Sequence, residues 1–328
     1  MQASNRNFGY NEESEKSLAK LRKSIKIGYL YVVLASILFG ISGAASKYLF
    51  TNGMTPFQLI QLRASLSFTG LFLWMLVRKP YLLSISLKDI VYFIPLGTLG
   101  VAAAQFLYLF AISKINVAAA ILLHYTGPVF VALYAVFFAR ERLTPITIVA
   151  ILGSLIGCGL VVQAYNLELL SMNRVGIIGG ILAAVAFATY SILGEYGMRK
   201  YNPLTVLFYA MLFAAVTWNI LHPPLEAFLH AYSPAAWGLI LFIGIFGTIL
   251  PFALYFEGIN LIRATHASIT ATLEPLTAGI IAYFFLGEIL GPLQILGGAI
   301  VIASIILLQW KQELDQKAPH LARSNKSQ

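Results

Sequence analysis

Apolar runs about as long as a membrane is thick follow one another along almost the whole chain. They lie at 28–50, 56–77, 89–111, 115–138, 145–164, 175–197, 203–221, 235–260, 264–286 and 291–310, separated by glycine, proline or charged clusters. A transmembrane helix needs about 20 predominantly apolar residues, whereas a membrane β-barrel alternates polar and apolar side chains. The runs therefore predict an all-α integral membrane protein with ten transmembrane helices.

The composition agrees with a membrane protein and excludes a soluble globular domain. Hydrophobic residues make up 59% of the chain, charged residues make up 11%, and the mean hydropathy is +0.80. Soluble domains carry about 25% charged residues. The single cysteine, Cys158, leaves no internal disulfide to form, and the five histidines lack the spacing of metal ligands. We expect no metal and no cofactor.

The basic residues are distributed unevenly between the two sides of the expected membrane. With the N-terminus inside, all but four of the 22 lysines and arginines fall in inner loops or in the polar tails 1–27 and 311–328. The exceptions are Lys47, Lys114 and Arg174 on the outer side and Arg63 within a span. Positive charge marks the cytoplasmic side of inner or plasma membrane proteins. Both termini are expected in the cytoplasm, and the net charge of +9 points to a lipid bilayer rather than nucleic acid.

The chain contains an internal repeat at a shift of 147 residues. The shift pairs Pro56 with Pro203, Tyr108 with Tyr255, Pro128 with Pro275, Glu141 with Glu288 and Pro145 with Pro292. The copies are expected at 28–164 and 175–310. Each copy has five expected spans, and an odd number inserts the second copy upside down relative to the first. Inverted repeats are typical of secondary transporters, in which a central site opens to alternate sides.

Two matching segments carry a resemblance to a known family. They read TGPVFVALYAVFFARERL at 126–143 and LEPLTAGIIAYFFLGEIL at 273–290, each a proline-led helix that ends near a glutamate. With them the region 28–310 resembles the drug/metabolite transporter superfamily, specifically its ten-helix EamA-type branch. The resemblance implies a central cavity lined by helices 1, 3, 4, 6, 8 and 9, and transport of amino acids or related metabolites, usually outward. It also implies that helices 5 and 10 lie at the periphery, where they can support a homodimer.

Glu274 is the candidate of most interest, because it lies about ten residues into the ninth expected span. An ionisable group at the centre of a span costs at least about 2.5–3.5 kcal/mol on insertion scales. Thr270 falls on the same helical face as Glu274. A substrate or proton site is one interpretation, and a protonated carboxyl that holds neighbouring helices together is the other.

Pro128 and Pro275 remove a backbone N–H at matching depths of spans four and nine. The carbonyls freed by this change can receive a substrate ammonium, or water or a Ser/Thr hydroxyl can satisfy them. His124 and Tyr125 lie one turn before Pro128 as candidate substrate contacts. The alternative for His124 is a hydrogen-bonded core histidine.

Four further residues are candidates for lining a cavity. Arg63 lies seven residues beyond Pro56, about 10 Å below the outer end of the second span at 1.5 Å per residue. It either faces a carboxylate across a cavity or binds backbone carbonyls. Gln105 and Tyr108 on the third span and Tyr255 on the eighth are the other cavity candidates.

A stripe of small residues ends in a charge in each copy. Ser36, Gly40 and Gly43 precede Lys47 in the first copy, and Ala184, Ala188 and Ser191 precede Glu195 in the second. Close helix packing is the expected role of the small residues. Lys47 and Glu195 are expected near opposite membrane surfaces, either snorkelling or forming gate contacts.

The residues favour a secondary transporter of small molecules, and the family resemblance implies amino acids as the cargo and export as the direction. Lipophilic cations and other metabolites such as nucleotide derivatives are the alternatives. A membrane enzyme is not supported, because no nucleophile with its base and no nucleotide motif is found, so no catalytic residue is proposed. A channel is a third possibility, which saturation and counterflow measurements separate from a carrier.

Overall fold

The computed structural model describes residues 4–115, 117–165, 173–221, 223–286, 291–310 and 318–324. Within these ranges the chain forms fourteen α-helices and no strand. They are α1 (Ser4–Thr51), α2 (Pro56–Arg78), α3 (Ile90–Pro95), α4 (Ala103–Lys114), α5 (Val117–His124), α6 (Gly127–Phe137), α7 (Pro145–Val161), α8 (Arg174–Met198), α9 (Pro203–Leu221), α10 (Pro234–Gly244), α11 (Leu250–Ala271), α12 (Leu273–Leu286), α13 (Pro292–Trp310) and α14 (Pro319–Ser324).

Eight helical stretches of the described residues are long and apolar enough to cross a membrane. They are Arg22–Thr51, Pro56–Arg78, Leu87–Ile112, Ala120–Phe137, Arg174–Met198, Pro203–Leu221, Pro234–Ala271 and Pro292–Trp310. The apolar helix α7 is shorter. The expectation of an all-helical membrane protein is confirmed.

Besides Pro319 at the start of α14, prolines define the start of five helices, as their places in the sequence suggested. Residues Pro56, Pro145, Pro203, Pro234 and Pro292 each begin a helix. The first helical position suits proline because its fixed φ matches the helix and its missing N–H would have no helical partner. Before Pro56, the Thr55 side chain accepts from the Gln58 amide at 3.3 Å, and the Gln58 side chain accepts from the Thr55 amide at 2.9 Å. This reciprocal capping box fixes the start of α2.

Helix α1 is longer than the sequence suggested. Its span was expected to begin at residue 28 after a polar tail, yet the helix begins at Ser4. Glutamate, lysine, arginine and leucine make up ten of residues 12–26, and these residue types have high helix propensity. The helix therefore continues beyond the apolar segment. The C-terminal tail contributes the short helix α14.

The fourth and ninth expected spans are each interrupted near their middle. The first break, at Tyr125–Thr126, divides the run expected at 115–138 into α5 and α6, and the second, at Thr272, separates α11 from α12. The Thr126 hydroxyl donates to the Leu123 carbonyl at 2.6 Å, and the Thr272 hydroxyl donates to the Ile269 carbonyl at 2.6 Å. The prolines that follow cannot donate to the preceding turn, and threonine hydroxyls satisfy carbonyls beside each break.

Two π-helical segments were not predicted. They lie at Leu96–Ala102, between α3 and α4, and at Ile245–Ile249, between α10 and α11. The repeat shift of 147 residues maps the first onto 243–249, so both copies are irregular at the same place. A π segment widens the helical turn and is frequent at functional sites.

The chain passes along α1 twice. The segment before Arg263 runs antiparallel to α1, and the segment after Arg263 runs parallel to it. Arg263, within α11, has a non-helical φ of 69° and ψ of 162°. Before it, a Cβ built on Gly247 would contact Ser42, and one built on Gly28 would contact Ile262. After it, the His266 ring stacks 6.3 Å from that of Tyr29, and Gly40 meets Thr277. The chain therefore reverses at Arg263.

Glycines allow helices α7 and α13 to pack closely. A Cβ on Gly157 would lie 2.7 Å from the Gly297 carbonyl oxygen, and a Cβ on Gly297 would lie 2.6 Å from that of Gly157. Gly40 has the same function on α1, where Thr277 and Ala278 lie 3.1 Å away, but Gly43 faces open space. The packing role expected for the small-residue stripe thus holds at Gly40 and does not extend to Gly43.

Contacts between loops define the two ends of the bundle. At the end that we call the Arg199 end, Lys200 pairs with Asp89 at 2.5 Å, and Tyr209 donates to the Leu83 carbonyl at 2.6 Å. At the opposite end, called the Gln61 end, the buried Gln61 donates to the Pro223 carbonyl at 2.9 Å and accepts from the Ala227 amide at 2.9 Å.

Candidate functional site

Glu274 lies in the first turn of α12, directly after the break at Thr272. The Tyr125 hydroxyl, at the equivalent break, is its hydrogen-bond donor, and Arg63 interacts with it electrostatically. The glutamate side chain is only partly buried, whereas Tyr125 is 3% exposed. The two interrupted spans thus place a partly accessible carboxyl group beside a phenol and an arginine.

Arg63 connects α2 to the π segment that precedes α11. Its Nε donates to the Thr248 hydroxyl at 3.2 Å, and its Nη2 donates to the Gly247 carbonyl at 3.2 Å. Both interpretations of this arginine therefore have support, because it binds a backbone carbonyl and also faces the Glu274 carboxyl. The Gly247 carbonyl is available to the arginine because the residue four positions later, Pro251, has no N–H to donate to it.

His124, the last residue of α5, lies at the centre of an aromatic cluster. Its ring centroid is 5.0 Å from that of Tyr108, 5.3 Å from Tyr125 and 5.4 Å from Phe187. Phe187 lies in turn 5.2 Å from Tyr190 on the same helix. Aromatic faces attract cations and also stack on planar groups.

Phe187 and Tyr190 were missed by the sequence analysis. Aromatic residues in an apolar span resemble ordinary core, and only their tertiary neighbours set them apart. A signal was available, because both lie between members of the stripe Ala184, Ala188 and Ser191. Small residues on that face let neighbouring helices approach these aromatic rings.

Two buried polar atoms on the helices of this cluster have no hydrogen-bond partner among the residues that the structure describes. They are Oε1 of Gln105 and Nδ1 of His124. A buried polar group without a partner costs about 1–3 kcal/mol, so nearly all such groups in proteins are paired. A ligand or water that binds here would recover that free energy. The site thus has unused hydrogen-bonding capacity next to a carboxyl and an aromatic surface.

Other candidates from the sequence have partners of their own. Thr270 is fully buried, and its hydroxyl donates to the His266 carbonyl at 2.9 Å, so its donor is already used. Tyr255 forms a 2.9 Å hydrogen bond with Ser191, and its ring lies 6.0 Å from Phe187, at the edge of the cluster.

The remaining candidates lie away from the aromatic cluster or support it indirectly. Pro128 and Pro275 fall in the first turns of α6 and α12, where they help to set the two breaks. Glu195 lies at the Arg199 end, hydrogen-bonded to Arg199 and Arg263. The side chain of Lys47 lies outside the described residues, as does Glu288.

The arrangement can bind a small molecule with charged and polar groups. The Glu274 carboxyl suits an ammonium group, Arg63 suits a carboxylate, and the orphan atoms of Gln105 and His124 suit further hydrogen bonds. These side chains come from α2, α4, α5 and α12, so relative movement of the helices would rearrange the site.

Comparison with known proteins identifies the family. The model of the EamA-like transporter family matches residues 26–163 and again 174–310. An uncharacterized transporter of Archaeoglobus fulgidus is 32% identical over 218 residues, covering 65% of this chain and 76% of that protein. YicL, an uncharacterized inner membrane transporter of Salmonella typhimurium, is 28% identical over 292 residues, covering 87% of this chain and 96% of that protein.

A solved crystal structure shares the fold with a TM-score of 0.67. It is 19% identical and covers 87% of this chain and 96% of its own. The two family matches follow the two copies found in the sequence, and the family agrees with the resemblance carried by segments 126–143 and 273–290. The chain is a membrane transporter that belongs to the EamA-like transporter family, within the drug/metabolite transporter superfamily.

Proposed function

We propose that the protein is a secondary transporter that moves small metabolites by alternating access around the Glu274 site. The observation that carries this proposal is a pair of buried polar atoms that lack a hydrogen-bond partner among the described residues. One is Nδ1 of His124, the residue before the Tyr125 that donates to Glu274, and the other is Oε1 of Gln105, about one helical turn before Tyr108. Buried polar atoms in proteins are nearly always paired, so these two atoms are available to a ligand. A transporter site must bind its cargo in one conformation and release it in another, and the side chains of this site come from four separate helices, whose relative movement would rearrange it.

Ten spans in two inverted repeats are part of the proposal. The stretch Pro234–Ala271 has 38 residues, about 57 Å of helix, which is nearly twice the thickness of a hydrocarbon core of about 30 Å. The reversal at Arg263 divides it into two passes, the second of which continues into α12. Together with α7, this division brings the count to ten. Equivalent breaks and equivalent π segments in the two copies support the repeat.

The orientation is proposed from the basic residues. Arg78, Lys88, Arg140 and Lys200 belong to the Arg199 end, and Lys114 and Arg174 belong to the other end. The positive-inside rule places the Arg199 end, and with it both termini, in the cytoplasm of a cell with an inner or plasma membrane.

An amino acid is the cargo that we propose, with export as the direction. Glu274 and Arg63 offer opposite charges to the two ends of a zwitterion, and family resemblance favours outward transport. A lipophilic cation is the second candidate, because the aromatic cluster around His124 would attract it. Both cargoes use Glu274, but only a zwitterion needs Arg63.

Exchange in proteoliposomes tests the proposal. Purified protein is reconstituted with an internal pool of one amino acid, and uptake of radiolabelled amino acids and of a labelled lipophilic cation is followed with and without a pH gradient. We expect saturable counterflow of an amino acid, and the rate of this counterflow should fall in the Arg63→Gln variant. Counterflow of the cation alone, unchanged in Arg63→Gln, would favour the second candidate. Transport that does not saturate would indicate a channel.

A further inference from the structure

A group of ion pairs joins the two sequence copies at the Arg199 end. Oε1 of Glu195 accepts from Arg199 Nη2 at 3.0 Å and from Arg263 Nε at 3.1 Å. Nη2 of Arg263 donates to Glu141 Oε1 at 2.6 Å. We call these four residues, Glu141, Glu195, Arg199 and Arg263, the ion-pair clamp. Glu141 belongs to the first copy, and the other three belong to the second.

The clamp ties together three parts of the fold that are separate in sequence. Glu141 lies in the link between α6 and α7, Glu195 in the last turn of α8, and Arg263 at the reversal in α11. The side chains of Arg263, Glu141 and Glu195 are only 11%, 13% and 9% exposed. These charges are thus largely shielded from water, although they lie at an end of the bundle.

The clamp also holds an unfavourable backbone conformation. Arg263, with φ 69° and ψ 162°, occupies a region that is almost restricted to glycine. The Glu195 carboxylate makes two contacts that hold this conformation. Its Oε2 accepts from the backbone amide of Ala264 at 2.8 Å, and its Oε1 accepts from the guanidinium group of Arg263. Loss of the carboxylate contacts would remove what keeps the reversal in this shape.

A short chain of contacts leads from the clamp to the binding site. Ser191 lies one helical turn before Glu195 on α8 and is fully buried. It bonds Tyr255 at 2.9 Å, and the Tyr255 ring lies 6.0 Å from Phe187, which contacts His124. On α8, Glu195 of the clamp therefore lies about two helical turns closer to the Arg199 end than Phe187 of the aromatic cluster.

We propose that the ion-pair clamp is the gate that closes the substrate site toward the Arg199 end. This inference rests on the proposed alternating-access function and names the residues that control one side of it. Shielded ion pairs are well suited to a reversible gate, because water can solvate the separated charges when the gate opens. Apolar packing alone would expose surface that water solvates poorly.

The test measures access to a cysteine placed just inside the clamp. Ser191→Cys is introduced into a Cys158→Ala background, and labelling by a membrane-impermeant thiol reagent is timed from each side of sealed vesicles. A separate Lys88→Cys variant identifies the vesicle face that carries the Arg199 end. The clamp variants are Arg263→Gln and Glu141→Gln. The matched control is Arg140→Gln, which removes an exposed charge from the same link.

We expect each clamp variant to accelerate labelling from the Arg199 side about tenfold, the change that a closed state destabilised by about 1.4 kcal/mol gives. The control should label at the parental rate, and Arg263→Lys, which keeps the positive charge, should label more slowly than Arg263→Gln. Parental rates in both clamp variants would overturn the proposal, as would equal acceleration from both sides. Size-exclusion profiles show whether the variants remain folded. Labelling needs no cargo, so a failure of the amino-acid proposal leaves this result separately interpretable.

Discussion

At the scale of single residues, the Glu274 carboxyl is the group on which the proposed mechanism depends most. It is a carboxyl group in the first turn of α12, and its contacts are the Tyr125 hydroxyl and the charge of Arg63. A charge that must be available to a cargo cannot be fully neutralised by a permanent ion pair. Its partial accessibility and its place at a helix break are consistent with a group that exchanges partners.

Replacing Glu274 by glutamine should remove most of the transport activity and leave the fold intact. The amide keeps the shape of the side chain but cannot ionise or pair with an ammonium. A hydrogen bond to a charged group contributes about 1.5–3 kcal/mol, so we expect exchange to fall roughly tenfold or more. Counterflow in proteoliposomes measures the loss, and any pH dependence of the parent should vanish with it.

Glu257→Gln is the matched control for this change. Glu257 lies on α11 near the Arg199 end, where it accepts from Asn260 at 3.3 Å and lies outside the aromatic cluster. We expect near-parental exchange from the control. If Glu274→Gln transports at the parental rate with the same pH profile, Glu274 only holds helices together, and proton coupling would have to be sought at another group such as His124.

At the scale of elements, the contact between α7 and α13 depends on the absence of one side chain. Gly157→Ala places a methyl group 2.7 Å from the Gly297 carbonyl and 2.8 Å from Val301, so the two helices must separate. Overpacking of this kind costs about 1–3 kcal/mol. Thermal unfolding in detergent should show a lower Tm.

Gly159→Ala is the control on the same helix. Its new methyl group would come no closer than 3.8 Å to Leu122, an ordinary contact. Alanine has a higher helix propensity than glycine by about 1 kcal/mol, so we expect a Tm equal to or above that of the parent. Equal losses in both variants would mean that helix contact at Gly157 is unimportant.

The docking of α14 should weaken in mild acid. Nδ1 of His320 donates to the Asn260 carbonyl at 3.0 Å, and Arg323 of the same helix donates to the Tyr201 carbonyl at 2.7 Å. Burial, and to a smaller extent the positive charge of Arg323, lower the pKa of His320 from 6.5, although its bond to Asn260 opposes this change. The docked form therefore binds a proton less readily than the free helix. Docking is strongest above the ordinary histidine pKa and weakens as the pH falls below it.

Hydrogen exchange of residues 318–324 measures this effect. After correction for intrinsic rates, exchange at pH 5.5 should exceed exchange at pH 7.5 in the parent, and His320→Gln should remove the difference. A parent that protects α14 equally at both values would show that His320 does not control docking.

At the scale of the whole molecule, the proposed topology makes a prediction about sides. Reporter fusions at Lys114, Arg174 and the loop 222–234 should report the outer side, because the positive-inside rule leaves few basic residues there. The structure agrees that the first two share an end, since Gly176 lies against Lys114. An inner-side signal at any two of these sites would contradict the proposed topology.

Much of the architecture was predictable because it follows from local patterns. Apolar length and prolines located the starts near 56, 145, 203, 235 and 291, and the repeat located the two family matches. The π segments at Leu96–Ala102 and Ile245–Ile249 could not be predicted, since no residue type requires them. The same holds for the partners of Arg63, which are a threonine and a carbonyl far away in sequence.

The amino-acid sequence by itself determined the class of molecule, its repeat and its family, because apolar length, proline position and self-similarity are properties of the chain alone. Only the tertiary structure decided which candidates meet. It brought Glu274 to Tyr125, left Gln105 and His124 with unpaired atoms, and placed Glu195 between Arg199 and Arg263. The physical reason is that long-range packing of helices, rather than spacing along the chain, sets both the distances between side chains and the exposure of those side chains to water.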